Sequence, residues 1–110
     1  MNITYHQGLT LDDWSKHDIF YQMANVGSEV FRTISWRNRN KEYSQKAFER
    51  GLELLDLTIA DKKNTNRLKE LLRTRETLID YFLFDNIYNS SDKILEKYFL
   101  AFNLVARAKN

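Results

Sequence analysis

Apolar side chains return at helical spacing in four successive stretches of the chain. Residues 11 to 36 carry Phe20, Ala24, Gly27, Phe31 and Ile34 in steps of four and three, and residues 41 to 60 carry Phe48, Leu52, Leu55 and Ile59. Residues 66 to 84 hold the densest stripe. The last stretch follows Asn89-Ser90-Ser91, a capping cluster, and runs to Ala108 with Ile94, Leu95, Tyr98, Ala101, Phe102 and Val105 on one face. Thr10 is the expected N-cap of the first stretch, with Asp12 and Asp13 placed where a helix dipole favours acid. The chain has no proline, in keeping with a residue that costs about 3 kcal/mol inside a helix. The connections at 37–40, 61–65 and 85–90 are short enough to make neighbours antiparallel. These features predict one all-α domain over residues 1–110, an antiparallel up-down four-helix bundle entered through a short irregular arm, residues 1–10.

The third stretch holds an oddity. At about 100° per residue, Leu68, Leu71, Leu72, Leu78, Ile79 and Phe82 all fall within about 60° of the direction in which Arg75 points. Arginine is almost never fully buried unless paired. Asp56 and Glu49 flank the apolar face of the second stretch and lie within reach across a bundle. Arg75 is therefore expected either to form an orienting ion pair with one of them or to face a cleft or interface, and Asp80 follows it on the same helix as a further candidate acid.

Gly27 and Gly51 sit on inward stripes, where close approach of two backbones would offset the cost of glycine in a helix. The first two helices are expected to cross there, with Ala24 and Ala47 nearby. Other apolar residues do not fit inside a monomer. Trp14, Tyr21 and Trp36 point about 120° or more away from Gly27, with Asn25 and Arg32 among them. Leu100 and Leu104 leave the face centred on Tyr98. Exposed aromatic and leucine patches mark interfaces, so Trp14, Tyr21, Arg32, Trp36, Leu100 and Leu104 are the candidate interface of a homodimer or a protein partner. The alternative is that the arm, through Ile3, Tyr5 and Leu9, folds back over one of these patches.

Composition narrows the class. The chain has 110 residues, 43% hydrophobic and 14% aromatic, the proportions of a globular domain. Seventeen basic against 15 acidic residues leave a net charge of +2, too balanced for a nucleic-acid footprint, although a pI near 8.9 leaves such a partner open. There is no cysteine, and no apolar run of membrane-spanning length, so a soluble cytoplasmic protein is expected.

Catalytic constellations are thin. His6 lies in the arm, and His17 follows Asp13 by one turn with no second ligand pair and no Glu-x-x-His sequence, so no metal or cofactor is expected. The pairs Glu49/Glu53 and Glu76/Asp80, interleaved with Lys46, Arg50, Lys69 and Arg73, read as solvated helix faces.

The run Arg75-Glu76-Thr77-Leu78-Ile79-Asp80-Tyr81-Phe82, late in a four-helix chain, resembles the signature of the HEPN superfamily. There an arginine and a histidine with four to six residues between them on one helix form a metal-independent RNase site in a dimer cleft. Other members bind nucleotides or partner nucleotidyltransferases in toxin–antitoxin modules. Arg75 matches the arginine, whereas Asp80 stands at the first permitted histidine position and no histidine follows. An aspartate lacks the near-neutral pKa that acid–base work requires. The resemblance therefore implies a non-nucleolytic, nucleotide- or RNA-associated relative. The residues themselves point first to a non-enzymatic helical interaction module that forms a homodimer.

Overall fold

A computed structural model describes residues 4–109 of the chain. The described residues form five α-helices and no strand: α1 (Leu11–Trp14), α2 (Ile19–Trp36), α3 (Lys41–Ala60), α4 (Leu68–Leu83) and α5 (Asp92–Ala108), with a 3-10 stretch at Lys62–Arg67. Among them, no helix is long and apolar enough to cross a membrane.

The expected first helix is two helices. Thr10 caps α1 by accepting from the Asp13 amide at 3.1 Å, but α1 stops after one turn. Asp18 then caps α2, its Oδ1 accepting from the Tyr21 amide at 2.9 Å. A short polar side chain that can bond its own backbone favours a helix start over a helix interior, and Asp18 acts on that preference. The break reorients Trp14. Its indole Nε1–H donates to Thr58 Oγ1 at 3.0 Å, and the ring is buried against α3.

Antiparallel contacts link α2 to α3, α3 to α4, α4 to α5 and α5 to α2. Gln22 at the start of α2 bonds Asp61 just beyond α3, whereas Ser44 near the start of α3 donates to the Thr33 carbonyl near the end of α2. Asp56 and Phe48 of α3 meet Arg75 and Phe82 of α4. Glu70 and Tyr81 of α4 meet Tyr98 and Asp92 of α5. Arg37, which caps the end of α2, grips Asp92 with two hydrogen bonds of 2.9 and 2.6 Å, and Lys109 after α5 reaches Asp18. Arg37 first, and then the Tyr81 hydroxyl, hold the Asp92 carboxyl below its ordinary range.

Helix α2 packs on both α3 and α5, so its buried face is wider than one stripe. It centres on Met23, Val26 and Val30, with Phe20, Phe31 and Ile34 only partly buried. The expected crossing of two glycines separates into two contacts. Gly51 faces Glu29 and the Val26 carbonyl on α2, whereas Gly27 faces α5, where a β-carbon would lie 2.7 Å from that of Phe99. The buried face of α5 is correspondingly Leu95, Phe99 and Phe102, which leaves Ile94 and Val105 more exposed than their place on the predicted stripe implied.

Candidate functional site

Arg75 lies on the boundary of its stripe. Leu71, Leu78 and Phe82 turn inward from α4, whereas Leu68, Leu72 and Leu83 are exposed. Between the two sets, the Arg75 guanidinium reaches across to α3 and donates from Nε to Asp56 Oδ1 at 2.7 Å and from Nη2 to Oδ2 at 3.4 Å. The pair is half-buried, with side-chain exposures of 35% and 36%. A burial deep enough to demand full charge compensation is therefore absent.

The pair opens onto a cleft of about 360 Å³ between α3 and α4, also lined by Thr4, Tyr5, Glu49, Leu52 and Glu53. Glu49 belongs to this cleft but bonds Gln45 and the Tyr5 hydroxyl, not Arg75. That hydroxyl, then the Gln45 amide, hold the Glu49 carboxyl below its ordinary range. Glu53, expected on a solvated face, is covered. Its carboxylate accepts the main-chain N–H groups of Thr4, Tyr5 and His6 at 2.9–3.2 Å and faces His6 Nδ1 at 3.0 Å. Burial works to raise its pKa, but the bonded amides outweigh burial and keep it low. No spacing rule marks such a residue, because its partners are backbone donors 47 to 49 residues away.

Asp80 is not part of the cleft. It is buried at the end of α4, and its two oxygens accept from the Ile87 and Tyr88 amides at 3.0 Å each. Those bonds, with the Asn86 side chain bonding Ser90 in both directions, set the 84–90 loop, in which Asn86 and Asn89 adopt left-handed φ values of 56° and 55°. The carboxylate that stands where the HEPN-like pattern would put a histidine is thus engaged in fixing a loop.

The candidate interface residues are scattered. Trp14 is in the core and cannot offer a surface, because the break after α1 turns it inward. Trp36 is partly covered, stacked edge-on by Tyr43 with the Arg39 guanidinium 4.6 Å from its ring centre. Tyr21 is exposed and stacks on His17 at 3.9 Å, so His17 has an aromatic partner. Arg32 is exposed and donates to Glu29, whose carboxylate is buried and also bonded by Arg50. Leu100 and Leu104 stay exposed on α5, as the stripe argument expected. On the Tyr98 face of α5 an apolar groove of about 520 Å³ is floored by Phe20, Tyr98 and Phe102 and edged by Arg67 and Lys97. Burial first, then the Glu70 carboxylate that Tyr98 bonds at 2.5 Å, push the Tyr98 hydroxyl well above its usual pKa.

The most exposed apolar surface lies outside the candidate interface residues. Leu68, Leu72 and Leu83 run along α4, with Ile79 partly covered among them, and lead into Phe84 and Ile87, which are 72% and 78% exposed. An apolar arc of about 120° around Arg75 is ordinary for a helix packed on a core, so its width alone does not mark the exposed half. Among the described residues, no group of three or more His, Asp or Glu side chains could hold a metal ion. The chain matches no protein-family model, no curated protein and no solved structure.

Proposed function

We propose that this protein is a non-enzymatic helical interaction module that associates with a second copy of itself. The supporting observation is the exposed apolar run from Leu68 to Ile87, because solvent-facing leucine and aromatic side chains in a continuous row are costly in a monomer and typical of contact surfaces. The antiparallel links among α2, α3, α4 and α5 support reading the scaffold as an up-down four-helix bundle. The lack of cysteine suits a reducing, cytoplasmic setting.

The alternative, a HEPN-like nucleotide- or RNA-associated role, has less support. Arg75 shares its cleft with three carboxylates, Glu49, Glu53 and Asp56, and a site with that balance repels phosphate. Sedimentation velocity over a wide concentration series tests the favoured reading. A mass rising towards that of two chains is the expected result, and a constant monomer mass up to several hundred micromolar overturns it. RNA binding with a steep salt dependence that disappears in Arg75→Ala would install the alternative.

A further inference from the structure

Resting on that self-association, we propose that α4 packs parallel and in register against α4 of a second copy, with Leu72 and Ile79 at the seam. The argument starts from angles around the helix. At about 100° per residue, Leu68, Leu72, Ile79 and Leu83 lie within an arc of about 60° and so form one straight stripe along four turns. The two flanks of that stripe are chemically different.

One flank carries Arg75 and, beside it, α3, whose side is fixed by the Arg75–Asp56 bonds and the contact of Phe48 with Phe82. It presents Asp56 and Glu49. The other flank carries Lys69, Arg73 and Glu76, all exposed, with Tyr88 bonded to Glu76 and lying under the Arg73 guanidinium.

Two-fold symmetry allows two ways to lay such stripes face to face. In an antiparallel pair each flank meets its own copy, which sets Arg75 against Arg75 and Glu76 against Glu76. In a parallel pair each flank meets the opposite flank at the same height along the axis. Glu76 then faces Arg75, whose Nη1 makes no hydrogen bond among the described residues, and Arg73 faces Asp56. Both pairings occur twice by symmetry. Charge complementarity sets orientation more than affinity, and here it selects the parallel arrangement. The loop adds a second, apolar reason. Phe84 and Ile87 follow the stripe at its C-terminal end, so parallel packing brings both copies of the most exposed apolar side chains to one end. An antiparallel pair would carry each set to the opposite helix start, where Lys62, Lys63 and Arg67 lie.

A 16-residue helix gives a seam only about 24 Å long. That is below the size of standard interfaces, so dissociation in the micromolar range or weaker is expected.

The chain has no cysteine, which gives a clean background for cross-linking. Leu72→Cys and, separately, Ile79→Cys are oxidised under mild conditions, with Leu104→Cys on α5, a more exposed position, as the control. Circular dichroism checks that each variant keeps its helix content. In the parallel pair each seam cysteine meets its own copy, and most of the protein becomes covalent dimer. In an antiparallel pair centred on Arg75 and Glu76 the two copies of residue 72 stand about 10 Å apart along the axis, too far for a disulfide. Glu76→Arg in the native background is expected to weaken association about tenfold. If the native chain dimerises but neither seam cysteine cross-links, or only the α5 control does, the α4 pairing is overturned and the self-association reading stands. If the native chain is a monomer throughout, both fall together.

Discussion

Glu53 on α3 accepts the main-chain N–H of His6 at 2.9 Å, across 47 residues of sequence. The same carboxylate takes the amides of Thr4 and Tyr5, so one side chain seats three consecutive backbone donors and ties the N-terminal segment to the helical body. Backbone donors on an ionised acceptor are among the stronger hydrogen bonds in proteins. Glu53→Ala should therefore cost about 1–3 kcal/mol of stability, measured by urea unfolding. Amide exchange at residues 5 and 6 should accelerate towards that of an open chain. Unchanged protection at those amides would show that the segment is held by other contacts.

The same bonds set an acid limit. Glu53, Asp92 and Asp61 all have carboxyl pKa values lowered in the folded protein, relative to ordinary values of 4.5, 3.8 and 3.8. A depressed carboxyl binds its proton less readily when folded than when unfolded. Its contribution is therefore complete above the ordinary value and is lost as pH falls through the folded one. Stability should be flat from neutral pH down to about 5 and fall steeply below about 4. In Glu53→Gln the fall should be shallower from a lower plateau, as followed by thermal unfolding across a pH series.

The two helical glycines should separate cleanly on substitution. A β-carbon at Gly27 would lie 2.7 Å from the Phe99 β-carbon, which is tied to its own backbone and cannot swing away. Gly27→Ala must push α2 and α5 apart and should cost about 2–3 kcal/mol despite the gain in helix propensity. At Gly51 the nearest atom is the Glu29 β-carbon at 3.2 Å. That strain is partly offset by a propensity gain of about 1 kcal/mol, so Gly51→Ala should stay within about 1 kcal/mol of the parent. Denaturant midpoints compare the two.

Gln22 is completely buried, with Nε2 at 2.8 Å from Asp61 Oδ2 and Oε1 accepting from Asn64 at 2.8 Å. Asp61 is itself buried and is otherwise served by Lys63 and its backbone amide. Gln22→Leu preserves the volume and removes these two bonds together with those that Nε2 donates to the Trp14 and His17 carbonyls, leaving part of a buried carboxylate unmatched, and should cost about 2–4 kcal/mol. Asp61→Asn in that background should recover part of the loss, because the group left unmatched is then neutral.

Local chemistry was readable wherever a residue acts through near neighbours. Thr10 and the serine cluster before α5 announced helix starts by type and spacing, and both cap as the spacing predicts. Distant pairings were readable only where an apolar stripe constrained them. The stripe on α3 by itself places Asp56 within reach of Arg75. The periodicity continues on both sides of Asp18 and so hides a helix start there, and that one cap decides where Trp14 points. The partners of Glu53 and Asp80 are backbone amides, which every residue carries and which leave no trace in composition. The outward half of the α4 stripe is not legible in the sequence for a geometric reason. A stripe shows which residues share a face, and only the positions of neighbouring helices show how much of that face is covered.

The Arg75–Asp56 pair tests how much an embedded charge contributes. Both side chains are about one-third exposed, so solvent screens the pair and the cost of burying either charge is modest. Arg75→Met alone should lose no more than about 1 kcal/mol, and Arg75→Met with Asp56→Leu should lose less than the sum of the two single changes. A double-mutant cycle by urea unfolding gives the coupling, expected at about 0.3–1 kcal/mol. Because Nη1 is left over, the arginine should matter more to contacts outside the chain than to folding within it. Arg75→Met should therefore shift the concentration dependence of the sedimentation mass at a stability close to that of the parent. A coupling of several kcal/mol, with no change in association, would make Arg75 a structural ion pair alone.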